Sequence, residues 1–226
     1  MDIFDIIGPV MIGPSSSHTA GAVRMGGVAR GILGEKIAKA EIFLAGSFAE
    51  TYRGHGTDKA IVAGLLGMQS DDERIRDSFR YAGEADLEFV FSTLRLPRVH
   101  PNTARLHLRG ESGRECTVQG ASVGGGSILI TSVNGMETAF SGNADTLIIP
   151  HQDTPGVIAS VSSLMAEFGV NIGNFRLNRP HKGFQAIMTL EIDGGVPEDA
   201  LLILKKLPHV NSVVYLPAIH SGDAPC

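Results

Sequence analysis

From Thr146 onward the chain follows a pattern that few architectures satisfy. Thr146 to Ile149 is a short apolar run that reads as a strand. Asp153-Thr154-Pro155-Gly156 comes next, an N-cap with proline at the first helical position. Val157, Ile158, Val161, Leu164, Met165 and Phe168 then recur on one helical face, and Gly169 ends that helix. A strand starts at Val170, and Phe184, Ala186, Met188, Leu190 and Ile192 alternate as another. Pro197 starts a second helix through Leu207, and Val210 to Leu216 closes as a strand. The order βαββαβ is that of a ferredoxin-like domain.

Ahead of it, the chain is punctuated by glycine. Most of its 28 glycines precede residue 143, which signals tight turns and close backbone approaches. Ser141-Gly142-Asn143-Ala144 reads as a linker, so two domains are expected, 1–143 and 145–217, with a frayed tail at 218–226. In the first, Ile6, Ile7, Val10 and Met11 are expected to be buried, and a helix runs from Ser17 to Leu33. Ala40 to Phe48 reads as a strand, Ala60 to Met68 as a helix capped by Thr57 or Asp58, and Asp71 to Tyr81 as a charged surface helix. Leu87 to Ser92 is a strand. Arg105 to Arg109, Glu115 to Val123, Ser127 to Val133 and Met136 to Phe140 form a meander whose last turn, Asn134-Gly135, is a two-residue hairpin signal.

Two loops in the first domain carry chemistry. Gly13-Pro14-Ser15-Ser16-Ser17-His18-Thr19 packs four hydroxyls and an imidazole into five positions before a helix. Unpaired backbone N–H groups at a helix start favour an anion, so this loop can hold a carboxylate or phosphate. The serines alone also suit an N-cap, with Pro14 stiffening the turn; a cap has no use for His18. Gly54-His55-Gly56-Thr57-Asp58-Lys59-Ala60 likewise opens a helix, and the similarity of the two loops predicts that both face one pocket. It lacks the spacing and the ending of a Walker A loop. Gly124-Gly125-Gly126 between strands is a turn, not a phosphate cradle. Val99-His100-Pro101-Asn102-Thr103 is a further turn. His107, His181, His209 and His220 read as structural or surface residues.

Composition excludes several classes. A net charge of −5 gives no encouragement to nucleic acid or anionic membranes. No apolar run approaches the ~20 residues that span a bilayer, and the start lacks the basic stretch of a signal peptide. Two cysteines, Cys116 and Cys226, give no disulfide framework, which fits a reducing cytoplasm, and cannot supply four metal ligands.

Two resemblances cover nearly the whole chain. Residues 145–217 resemble an ACT domain, a small amino-acid-sensing module, through Asp153-Thr154-Pro155-Gly156-Val157 and Gly169-Val170-Asn171-Ile172. The first part, with the two loops above, His100-Pro101-Asn102 and Gly124-Gly125-Gly126, resembles the β chain of iron–sulfur L-serine dehydratases; it is also similar to the substrate-sensing domain of some phosphoglycerate dehydrogenases. The fold class is therefore α+β, a mixed α/β domain followed by the βαββαβ domain. The resemblance implies conversion of L-serine to pyruvate and ammonia with a [4Fe-4S] cluster instead of pyridoxal phosphate. The cluster's cysteines belong to an α part, so this chain is expected to be a β subunit that holds no metal and is inactive without its α partner.

Elimination of water from serine needs removal of a weakly acidic α-proton and departure of hydroxide. An open iron can assist the second, and an imidazole, with its ordinary pKa of ~6.5, can perform the first. The resemblance implies His55 as the base, and His18 with Ser15, Ser16, Ser17 and Thr19 as the carboxylate site. Gly56, Thr57, His100 and Asn102 complete the wall. In the ACT domain it implies that His151, Asp153, Gly156 and Asn171 hold a small amino acid, L-serine by expectation, between two copies of the chain. Asp153 departs from the family pattern: a carboxylate accepts but cannot donate, so it suits the ligand ammonium, or it caps the following helix. Two rivals stand beside this reading: a non-catalytic serine-sensing regulator, and a mononuclear metal hydrolase built on His18, His55 and His100.

Overall fold

The computed structural model describes residues 11–13 and 15–219. The expectations for Ile6, Ile7, Val10, Pro14, His220 and Cys226 lie outside the described residues, and Met11 is half-buried. The chain divides into two compact units at the Gly135–Met136 bond.

The first unit is a mixed sheet backed by helices. Helix α1 (Ala20–Leu33) follows a turn and begins three residues later than the Ser17 start. It ends at Gly34 in the left-handed region, whose N–H donates to Arg30 O. Strand β1 (Ile37–Ala45) is flanked on both sides: β2 (Glu88–Thr93) pairs with it in parallel and β3 (Thr103–Gly110) antiparallel. Antiparallel β4 (Glu115–Gly124) and β5 (Ser127–Val133) extend the order to β2-β1-β3-β4-β5. Alternate residues, Ala40, Ile42 and Leu44 on β1 with Leu106 and Leu108 on β3, are fully buried on one face.

Between β1 and β2 the chain departs from the expected strand. Gly46, at φ 55°, turns it out of the sheet, and Gly46–His55 is helix α2. Ala45 to Phe48 looks like a continuing strand because it carries no charge and ends on an aromatic residue, but Phe48 is buried as a residue of a helix. A Cβ on Gly46 would lie 2.5 Å from the Pro101 carbonyl oxygen, so this corner demands glycine twice over. Helix α3 (Thr57–Leu65) starts earlier than predicted and is capped by Gly56 in the left-handed region, not by a Thr57 or Asp58 side chain. The charged stretch forms a 3₁₀ turn, Glu73–Asp77, opened by an Asp72 side chain that accepts from Arg74 N. A short helix α4 (Ser78–Glu84) follows. The three glycines at 124–126 all have positive φ (109°, 59°, 80°) and form the turn between β4 and β5.

Helices α1 and α3 meet through glycine. A Cβ on Gly64 would sit 2.0 Å from Val23 O, and one on Gly26 would sit 2.5 Å from Ile61 O. Backbone packs directly on backbone there, which draws α3 and the loop ahead of it against α1.

The second unit contains β6 (Met136–Phe140), β7 (Asp145–Gln152), α5 (Val157–Glu167), β8 (Asn171–Asn178), β9 (Gln185–Asp193), α6 (Glu198–Leu204) and β10 (Val214–Leu216). Strands β10-β7-β9-β8 form an antiparallel sheet in the βαββαβ order. Leu147, Ile149, Met188, Leu190 and Ile192 of the sheet bury against Val157, Val161 and Met165 of α5 and Ala200 and Leu204 of α6. The expected linker at 141–144 lies inside this unit, because β6 is already tied to it. A 2.7 Å hydrogen bond joins the Thr138 and Thr189 hydroxyls, and Ser141 N donates to Glu191. Helix α5 begins at Val157 with Gly156 as its cap, so neither the Asp153 cap nor Pro155 as first helical residue is realised. Pro197 stands just outside α6, and β10 is confined to three residues, with Val210 making only a single bridge to His151. Ala218 and Ile219, assigned to the frayed tail, are held by hydrogen bonds to Asp145 Oδ1 and Gly142 O.

Candidate functional site

The first loop winds tightly into α1. Ser15 O accepts from Thr19 N at 2.8 Å and Ser16 O from Gly21 N at 3.0 Å, so main-chain carbonyls organise the turn. Thr19 is the N-cap residue but makes no side-chain cap bond, so the capping role expected of these hydroxyls is not taken up. Gly13 lies against Thr19: a Cβ there would meet the Thr19 hydroxyl at 2.2 Å.

His18 projects from this turn onto α2. Its ring meets Phe48 edge-on at 5.2 Å and lies 4.7 Å from the His55 ring, centroid to centroid, tilted by 35°. Its Nε2 lies 3.1 Å from Thr51 Oγ1 and its Nδ1 3.3 Å from Ser15 Oγ. Burial lowers the His18 pKa, and the neighbouring His55 lowers it further, so His18 is held neutral at pH 7. His55, the last residue of α2, is exposed. Gly56 behind it (φ 71°, ψ 20°) both ends α2 and caps α3, and so fixes where His55 points.

The two loops line one cavity of about 420 Å³. Gly13 and Thr19 come from the first loop; His55, Gly56 and Lys59 come from the second. Such a volume suits a small molecule. Arg53 and Arg76 also line it, so the wall is cationic; Arg76 comes from the charged segment taken as mere surface. Half-buried Asp58 sits beside Lys59 and Arg53, with its pKa raised by burial. Thr57, at the first position of α3, is 0% exposed, and its hydroxyl has no hydrogen-bond partner among the described residues. On the α1 side, buried Arg24 donates to Gly126 O at 3.1 Å and so ties the three-glycine turn to the helix that carries the first loop.

Other predicted residues lie elsewhere. His100 is exposed, and its Nδ1 accepts from Asn102 N at 3.1 Å. Asn102 O accepts from Ser122 N, and Pro101 O from Phe48 N. This turn therefore braces the start of α2 and does not line the cavity. A three-histidine metal site is not assembled, since His100 stands apart; among the described residues no group of His, Cys, Asp or Glu is arranged to hold a metal ion. In the second unit each expected regulatory residue has a partner within the chain. His151, 1% exposed, pairs its Nδ1 with Ile149 O. Asp153 Oδ2 accepts from Gly183 N and from Arg179 Nη1, which keep its carboxyl below the usual range. Asn171 donates to Asp193 Oδ2 at 2.6 Å. Gly156 (φ 94°) caps α5.

Thr51, Phe48, Arg53 and Arg76 were not among the predicted site residues. Thr51 and His55 stand four apart, one turn on a helix, but that spacing carries meaning only once residues 46–55 are known to be helical.

Comparison with known proteins shows the family of the chain. The family model described as "Serine dehydratase beta chain" matches residues 1–132, and that of the ACT domain matches residues 146–209. The chain is similar to the "Probable L-serine dehydratase, beta chain" of Bacillus subtilis, at 44% identity over 93% of this chain and 96% of that one. It is also similar to the "L-serine dehydratase, beta chain" of Peptoniphilus asaccharolyticus, at 39% identity over 86% and 88%. A D-3-phosphoglycerate dehydrogenase of Synechocystis is 28% identical over 78% of this chain and 32% of its own length. Among the described residues no helix is long and apolar enough to cross a membrane.

Proposed function

Since the chain belongs to the serine dehydratase beta chain family, we propose that it is the β subunit of an L-serine dehydratase, which forms pyruvate and ammonia from L-serine with a separate α chain. One observation carries the reading: the two histidine loops, far apart in sequence, meet at ring distance beside a small cationic cavity. A carboxylate fits there. Thr19, at the start of α1, lines the cavity with Gly13, and Ser16 and Ser17 precede it in the same turn without lining the cavity themselves. The substrate's α-carbon then faces the exposed His55 imidazole, which takes the proton. Gly56 is part of the wall, and Thr57 lies fully buried behind it. Loss of the β-hydroxyl leaves an enamine, and its tautomerisation and hydrolysis need no further group from this chain.

The [4Fe-4S] cluster is placed on the α chain. Among the described residues the one thiol does not fit it: Cys116 is buried in β4 with its Sγ 3.9 Å from Ala29 O, and burial pushes its thiol up to about 11. The ACT domain is placed at a homodimer contact that binds a small amino acid. Support comes from β8 at the edge of its sheet, with Phe175 and Leu177 on it exposed. A cytoplasmic location accords with the two cysteines.

Coexpression with a cluster-bearing α chain, followed by an anaerobic pyruvate assay, tests the reading. This chain alone should form no pyruvate, and the pair should. His55→Ala in the pair should lower kcat by about 10²–10⁴, the range for loss of a general base. Near-normal kcat would move the base elsewhere. Calorimetric titration of L-serine into the full chain, with Asn171→Ala beside it, tests the ACT site; equal heats in both would reduce that domain to a dimer contact.

A further inference from the structure

The hydrogen-bond chain through His18 has a direction, and the direction is fixed by a residue outside both loops. Thr51 Oγ1 lies 2.7 Å from Ser47 O, four residues back on α2. A carbonyl oxygen can only accept, and a threonine hydroxyl has one hydrogen, so Thr51 spends that hydrogen on Ser47. Towards His18 Nε2, 3.1 Å away, Thr51 can therefore only accept. His18 must carry its hydrogen on Nε2, and its Nδ1 presents a lone pair. Ser15 Oγ, 3.3 Å from Nδ1, is then the donor in that contact, while its own lone pairs face the His18 backbone N–H at 3.4 Å.

We propose that Thr51 is a positioning residue that locks His18 as its Nε2–H tautomer and thereby commits the Ser15 hydroxyl to His18 in place of a ligand. The locked ring is wedged between Phe48 and His55, so one hydroxyl on α2 fixes both the turn ahead of α1 and the surface against which His55 rests. The carboxylate is left to Thr19 at the start of α1, and Ser15 becomes a support. The lowered pKa of His18 favours the same neutral form. The catalytic side of this inference rests on the dehydratase reading; the tautomer does not.

The test is two-bond proton–nitrogen correlation NMR on the ¹⁵N-labelled full chain at pH 8. His18→Asn identifies the His18 signals, and Thr51→Val and Thr51→Ser are the variants. The wild type should show a protonated Nε2 and an unprotonated Nδ1. Thr51→Val, of like shape but unable to accept, should lose that pattern for a tautomer mixture, and Thr51→Ser should retain it. A wild-type Nδ1–H pattern overturns the proposal whether or not the valine variant folds, and so does a valine variant with the wild-type pattern. In the reconstituted pair, Thr51→Val should lower kcat by about tenfold to a hundredfold, as expected for a reacting group held out of place, with recovery in Thr51→Ser. Unchanged kcat and KM in Thr51→Val overturn the positioning role. A wild-type pair that forms no pyruvate sinks the dehydratase reading and leaves the tautomer to the NMR result.

Discussion

Replacing Gly64 with alanine tests whether the backbone contact between α1 and α3 holds the first unit together. The added Cβ would lie 2.0 Å from Val23 O, 2.9 Å from Val23 C and 3.0 Å from Gly26 Cα. An unstrained carbon contact needs about 3.5 Å, so relief demands that two helices part by more than 1 Å. No side chain can swing away, since every atom met is main chain. Overpacking costs about 1–3 kcal/mol, and a rigid backbone clash belongs at the top of that range. Alanine recovers about 1 kcal/mol of helix propensity, which leaves a net loss of about 2 kcal/mol. With a urea slope of about 2 kcal/mol per molar, the first unit's unfolding midpoint should fall by about 1 M. Gly83→Ala in α4 is the control, because a Cβ there meets nothing within 4 Å; it should stabilise by up to about 1 kcal/mol. If Gly64→Ala matches the control in sign, the reasoning from close approach is refuted.

Three other outcomes are expected. Thr57→Val removes a buried hydroxyl that has no partner among the described residues, and should raise stability by about 1 kcal/mol in urea melts while weakening L-serine turnover in the reconstituted pair. Because the His18 pKa is lowered in the folded chain, the unfolded chain binds more protons as pH falls below about 6.5. The stability that His18 contributes is therefore full above that pH and lost as pH falls through its folded value; His18→Asn should flatten this loss in melts between pH 7 and 5. Gly56→Ala, at φ 71° where a side chain is strained, should cost about 1–2 kcal/mol and shift the His55 NMR signals, whereas unmoved His55 signals would mean the corner does not set its position.

The two halves of the chain were unequally legible. The βαββαβ order of the second unit could be read because its elements carry strong apolar patterns: Ala186, Met188, Leu190 and Ile192 are buried in β9, and Val157, Val161, Leu164 and Met165 on one face of α5. The patterns overreached at Phe184, which is 68% exposed ahead of β9, and at Ile158, which is exposed; β9 is buried on both faces over 186–190, so Ile187 and Thr189 are buried as well. The unit's boundaries slipped where the motif Asp153-Thr154-Pro155-Gly156 looked like a cap followed by a helical proline; Gly156 does the capping, and Asp153 turns to Arg179 and Gly183. In the first unit α2 was hidden. It has only one buried side chain, Phe48, and it follows a strand with Gly46-Ser47 as the sole break and no charged residue before Glu50, so the strand was read on through it. With α2 unseen, Thr51 could not be placed beside His18, and the bracing of α2 by His100-Pro101-Asn102 could not be told from a cavity wall. That both histidine loops open helices was plain in the residues; that their rings touch depends on the glycine contact between α1 and α3, a distance no local pattern encodes.

The corner at Gly56 can be seen as a fulcrum. Helix α2 has ten residues, a rod of about 15 Å, and it joins α3 through that single residue. A rotation of about 10° there would carry the Gly46 end through roughly 2–3 Å, whereas His55, beside the pivot, would scarcely move. A displacement of the far end, which Pro101 braces, would thus shift Thr51 relative to His18 more than it shifts the His55 backbone.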